Sequence, residues 1–140
     1  MRVGLVGQVG RVGLSVICAL VICACRARAD IPATTETKIA WHQVGSWSGR
    51  GNRQTESFTS DTGALRIRWE TTHEAAPGQG TFHLRAHSAI SGRVLQEVVD
   101  ERGPGSGIGY VQQDPHVFYM VVESDQLDWA FTVEEATVYR

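Results

Sequence analysis

Two stretches of strict alternation constrain this chain more than anything else in it. In Leu65-Arg66-Ile67-Arg68-Trp69-Glu70 the apolar residues are odd and the charged ones even. In Phe82-His83-Leu84-Arg85-Ala86-His87 the apolar residues are even. A period of two puts successive side chains on opposite faces, so each stretch reads as a strand with one buried and one wet face. Between them lie Pro77, Gly78 and Gly80, residues that break regular structure. The simplest pairing is an antiparallel hairpin that sets Trp69 against Phe82, Ile67 against Leu84 and Leu65 against Ala86. All three pairs are apolar and lie on one face, so this register is self-consistent.

The same pattern recurs along the chain. Lys38 to Trp47 and Gln54 to Ser60 read as strands joined by a turn over Ser48–Arg53. Val94 to Val99 is short, and Ile108 to Gln112 follows the glycine-rich Gly103–Gly107. His116 to Glu123 (HVFYMVVE) is apolar on both faces and predicts a central strand. Leu127, Trp129, Phe131 and Val133 alternate with Asp128, Ala130, Thr132 and Glu134, the signature of a half-buried strand. About eight short strands without a helix predict an all-β, antiparallel β-sandwich over residues 38–140, with jelly-roll or Greek-key connections. Trp69 and Trp129 are in phase with aliphatic faces and belong to its core. Trp41 shares parity with Ile39 and is placed there too.

The residues ahead of the strands read differently. Arg2 and Arg11 precede an apolar run, Val12 to Cys25, that ends before Ala27-Arg28-Ala29. A basic start, a short apolar core and an A-x-A end make a secretory signal peptide over residues 1–29. The run is shorter than the roughly 20 apolar residues of a permanent span. Ile22-Cys23-Ala24-Cys25 also partly matches a lipobox, so lipidation at Cys25 and a membrane anchor form the alternative route. Residues 30–37 (DIPATTET) then form a flexible lead-in. The expected location is outside the cytoplasm: secreted, periplasmic or in the cell envelope.

Cleavage after Ala29 removes four of the 13 basic residues and none of the 15 acids, leaving a domain of net charge −6. That charge argues against nucleic acid as a partner, and against a membrane except through the leader or a lipid anchor. All three cysteines lie in the leader, so the domain stands on packing without disulfides or thiolate ligands.

No catalytic, metal or cofactor motif emerges. In Gly45-Ser46-Trp47-Ser48-Gly49 the position a nucleophile elbow needs for serine is Trp47. Gly103, Gly105, Gly107 and Gly109 miss the G-x-G-x-x-G spacing, and Pro104 removes an amide. Glu134 and Glu135 are strand neighbours and point to opposite faces. His83 and His87 stand roughly 13 Å apart on one strand, too far for one ion to bridge.

The feature left over is a basic face. In the hairpin register Arg68 lies opposite His83 and Arg66 opposite Arg85, with His87 at the end. Like charges directly opposite destabilise a sheet, so an acidic neighbour strand, solvent or a bound anion must offset them. Arg66, Arg68 and Arg85 are the candidate donors to a carboxylate, a sulfate or an acidic glycan, because a guanidinium fork binds oxyanions bidentately. Trp47, in its Gly/Ser setting, is a candidate stacking residue for a sugar ring or a partner side chain.

The run Trp47…Gly49…Gly51…Thr55…Phe58 with Leu65–Glu70, and the later Phe118-Tyr119…Val121…Ser124…Asp128-Trp129…Val133-Glu134, resemble small secreted β-sandwich domains of uncharacterised bacterial proteins. The later run is also similar to the closing strands of jelly-roll modules appended to secreted enzymes. The resemblance implies the sandwich and carries no activity or site residue with it. The functional expectation is an exported, non-catalytic module that binds a ligand or an envelope protein. The alternative is a structural or assembly protein of the envelope.

Overall fold

The apolar stripes of Leu65–Trp69, Phe82–Ala86 and Leu127–Val133 that alternation marks face one shared interior. The structure, a computed structural model, describes Pro32 and residues 36–139. Nine strands run in chain order: β1 (Lys38–Arg50), β2 (Arg53–Gln54), β3 (Phe58–Ser60), β4 (Ala64–Thr72), β5 (Thr81–Ser88), β6 (Val94–Arg102), β7 (Gly105–Gln112), β8 (His116–Asp125) and β9 (Asp128–Tyr139). The signal peptide, Cys25 and most of the lead-in lie outside the described residues.

The strands form two antiparallel sheets. One has four strands in the order β1-β9-β4-β7; the other runs β2-β8-β5-β6, with β3 also on β8. With β2 and β3 counted as one interrupted strand, this is an eight-strand sandwich with jelly-roll connectivity. β8, apolar on both faces, lies inside its sheet as expected. Phe82, Phe118, Phe131, Ile67, Leu84 and Met120 are fully buried between the sheets.

The expected β4–β5 hairpin does not form. β4 pairs with β7 and β9, whereas β5 pairs with β6 and β8 in the other sheet. The chain between them crosses the sandwich, so the two apolar stripes meet face to face rather than side by side. Trp69 and Phe82 do touch, with ring centroids 5.8 Å apart, but across the core. Alternation tells which face of a strand is buried; it carries no information on whether the apolar partner lies beside it or opposite it.

The glycine series has a packing role. Gly107 and Gly109 pair with Trp69 and Ile67, so they lie on the inner face of β7. A Cβ on Gly107 would sit 2.8 Å from the Trp69 ring, and one on Gly109 2.5 Å from Val98 Cγ1. Period-two glycine here lets a large indole and a neighbouring strand approach the backbone.

Candidate ligand-binding face

The crossing of β4 to β5 separates the residues of the expected basic face. Arg66 and Arg68 stand on the outer face of the four-stranded sheet. Arg85 stands on the outer face of the other sheet, with the core between. The like-charge conflict expected between them does not arise. Arg66 and Arg68 meet Glu134, and Arg85 NH1 lies 3.2 Å from Glu123 Oε1.

Trp47 is not a surface stacking residue. It is 8% exposed, with its ring centroid 5.7 Å from that of Phe58 and 5.4 Å from that of Phe131. Its indole N–H donates to Glu56 Oε1 at 3.1 Å. That hydrogen bond, with one from the Glu56 backbone as the larger cause, holds the Glu56 carboxyl below its ordinary value. Gly45 makes the room: a Cβ there would lie 2.3 Å from the Trp47 ring.

The cause is a bulge. The β1–β9 register shifts between Gln43 and Gly45. One extra residue flips every side chain beyond it, so Trp41 and Trp47 face opposite sides despite sharing parity. Trp41 therefore leaves the core, where alternation had placed it, and joins the outer face beside Ala136.

Two registered rows organise that face. Gln43, Glu134, Arg66 and Tyr110 form one across all four strands, and Ser46, Thr132, Arg68 and Ile108 form the next. Glu134 Oε2 accepts from Arg66 Nε at 2.6 Å and from Arg68 Nε at 3.1 Å. Among the described residues the terminal nitrogens of both guanidinium groups have no protein acceptor. Arg66 Cζ stands 4.5 Å from the centroid of the Trp41 ring, a cation–π distance. The Trp41 and Tyr110 rings are 6.2 Å apart and tilted by 57°. Arg68 is 56% exposed and Tyr110 51%.

Within ion-pair distance, two guanidinium groups thus share one carboxylate. The Arg66 hydrogen bond holds the Glu134 carboxyl below its ordinary value; partial burial opposes this, and the Arg68 hydrogen bond adds to it. Glu70, one row on from Arg68, makes no ion pair among the described residues. The result is an aromatic surface with two arginines whose terminal N–H groups have no protein acceptor among the described residues.

The next residue in sequence behaves in the opposite way. Glu135 points inward and is buried. Its Oε1 accepts from Ser60 Oγ at 2.6 Å, Thr62 N at 2.7 Å and Thr62 Oγ1 at 3.0 Å. Burial alone would raise its pKa, but these hydrogen bonds outweigh it and the net shift is downward. The opposite orientation of Glu134 and Glu135 is as alternation predicts.

An acid–histidine pair occupies another part of the outer surface. Asp128 Oδ1 accepts from Arg50 NH1 at 2.8 Å, and Asp128 Oδ2 lies 2.9 Å from His73 Nδ1. The Arg50 hydrogen bond is the main reason the Asp128 carboxyl lies below its ordinary value. No described hydroxyl lies within hydrogen-bonding distance of His73 Nε2, so the relay from acid to imidazole ends at solvent.

Arg66 and Arg68 were legible as a pair from their spacing. Trp41, Tyr110 and Glu134 were not, because their meeting depends on three strand neighbours and one bulge. The chain matches no family model, no curated protein and no solved structure.

Proposed function

We propose that this protein is an exported, non-catalytic binding module that holds an acidic glycan on the outer face of its four-stranded sheet. The observation that carries this reading is the convergence of Arg66 and Arg68 on one oxygen of Glu134 beside Trp41 and Tyr110. Each arginine is held through Nε, and the terminal nitrogens, which have no protein acceptor among the described residues, remain as donors, most openly on the half-exposed Arg68. A carboxylate or sulfate takes such donors bidentately. The half-exposed Tyr110 ring offers a flat apolar face to the C–H face of a sugar. The leader pattern over residues 1–29 supports export.

Calorimetric titration of the protein with sulfated or uronate oligosaccharides, beside neutral ones of equal length, tests this. Arg68→Ala removes charge-assisted hydrogen bonds of about 1.5–3 kcal/mol, so affinity for the acidic ligand should fall roughly tenfold to a hundredfold. Arg85→Ala, on the other sheet, should leave it unchanged. Equal binding of neutral and acidic ligands, or no loss in Arg68→Ala, contradicts the proposal.

A second reading, self-assembly through the β1 edge, is favoured by one observation. Ile39 and Val138 are register partners at that edge, and both are more than half exposed. Sedimentation at rising concentration separates the two readings: a concentration-dependent shift that Ile39→Asp removes supports assembly, and a constant monomer rejects it.

A further inference from the structure

The outer face of the five-stranded sheet carries a different chemistry, and a pair of bulges creates it. β5 and β6 change register between Leu84 and Arg85 and again between Ala86 and His87. At the first shift Val98 is the extra residue: His83 pairs with Asp100, and Arg85 with Glu97. On a regular strand, residues 97 and 100 would face opposite ways. The bulge brings both carboxylates to the face of His83, which is how bulges re-aim side chains.

His83 Nε2 lies 3.1 Å from Asp100 Oδ1, and Nδ1 lies 3.7 Å from Glu97 Oε1. The second distance is too long for a hydrogen bond. Nδ1 is fully shielded from solvent and has no hydrogen-bond partner among the described residues. A neutral imidazole has one N–H and one lone pair. Nδ1 and the Glu97 carboxylate therefore face each other with no hydrogen bond between them, a gap that a shared cation would fill. Glu123 faces His83 from β8 on the other side and is engaged by Arg85 at 3.2 Å. Among the described residues no arginine or lysine nitrogen lies within ion-pair distance of Glu97 or Asp100, whose ion-pair partner is His83.

We propose that His83, Glu97 and Asp100 form a binding site for a divalent transition-metal cation of the zinc class. One nitrogen of His83 and one oxygen of each carboxylate all lie within 4.8 Å of one another. Small rotations of half-exposed side chains bring them to the roughly 2.0–2.2 Å bonds that zinc requires. Imidazole with carboxylate and no thiolate suits a borderline ion better than a soft one. Three protein ligands leave a coordination position for water or for an oxygen of a ligand. The bound ion would also clamp the bulged edge strand β6 to β5. This site goes beyond the glycan reading and is independent of it, since it lies on the opposite face.

The test is calorimetry and thermal melting of the full-length protein, freed of metal by chelator, with Zn²⁺ as the probe. The expected result is one Zn²⁺ per chain and a raised Tm. His83→Ala and Asp100→Asn should each weaken binding at least about tenfold, the loss typical even of outer-sphere partners. His73→Ala, which removes the exposed histidine beside Asp128, should leave binding unchanged. Asp100→Asn keeps the shape of the side chain, and its circular dichroism shows whether the fold persists. The proposal is overturned if the wild type does not bind Zn²⁺. It is also overturned if binding survives both His83→Ala and Asp100→Asn, or if His73→Ala is what abolishes it.

Discussion

The two faces of the four-stranded sheet use the same strands and nearly the same residue types, yet they do opposite work. Trp47 and Trp41 both lie on β1; the first is packed between Phe58 and Phe131, the second stands outside under Arg66. Glu135 and Glu134 are neighbours on β9; the first ties the Ser60–Thr62 turn from within, the second anchors two arginines from without. Inside, a polar group must find all its partners in the protein or it costs stability. Outside, it can leave donors open. Loss of an inward-facing residue should therefore unfold the protein, whereas loss of an outward-facing one should leave the fold intact.

The largest expected contrast is between the tryptophans. Trp47→Ala removes a core aromatic and should lower unfolding stability by about 3–5 kcal/mol. Trp41→Ala should cost less than about 1 kcal/mol while weakening acidic-glycan binding. Urea denaturation of both variants checks this, and equal losses would erase the distinction between the faces.

Next come the glutamates. Glu135→Gln loses a charged acceptor of three hydrogen bonds and should cost about 1–3 kcal/mol. Glu134→Gln, at a partly exposed ion pair, should cost about 0–1 kcal/mol. Their pH dependence sharpens the point. Both carboxyls sit below the ordinary 4.5 in the folded state. The unfolded chain therefore takes up protons first as pH falls, and their stabilising contribution is full above about 4.5 and lost as pH drops through the folded values. Glu135→Gln should flatten the acid limb of a stability–pH curve. A limb as steep as the wild type's would mean that another carboxylate drives acid unfolding.

The smallest expected effect is on the far face. Arg85→Ala should change stability by no more than about 0.5 kcal/mol, because Arg85 meets only a half-exposed Glu123.

These contrasts also show what the sequence makes readable. Period-two alternation correctly assigns the buried face of β4, β5 and β9, because burial on one face is what alternation encodes. It also orients Glu134 and Glu135. It does not assign neighbours: Leu65, Ile67 and Trp69 look equally content beside Phe82, Leu84 and Ala86 or across from them. The bulges at Val44 and Val98 carry no residue signature, being set by how whole strands fit, so Trp41, Trp47 and the His83 cluster could not be placed. The glycine series had a readable signal. Its spacing of two matches one face of a strand, and it marks where Trp69 needs room.

The most direct test of the central claim is a chemical-shift map by NMR during titration with a sulfated or uronate oligosaccharide. Perturbations should concentrate on the Arg66 and Arg68 guanidinium groups, the Trp41 indole N–H and the Tyr110 ring, while Arg85 and Trp47 stay still. Perturbations centred on the five-stranded sheet, or none at saturating ligand, would contradict that claim.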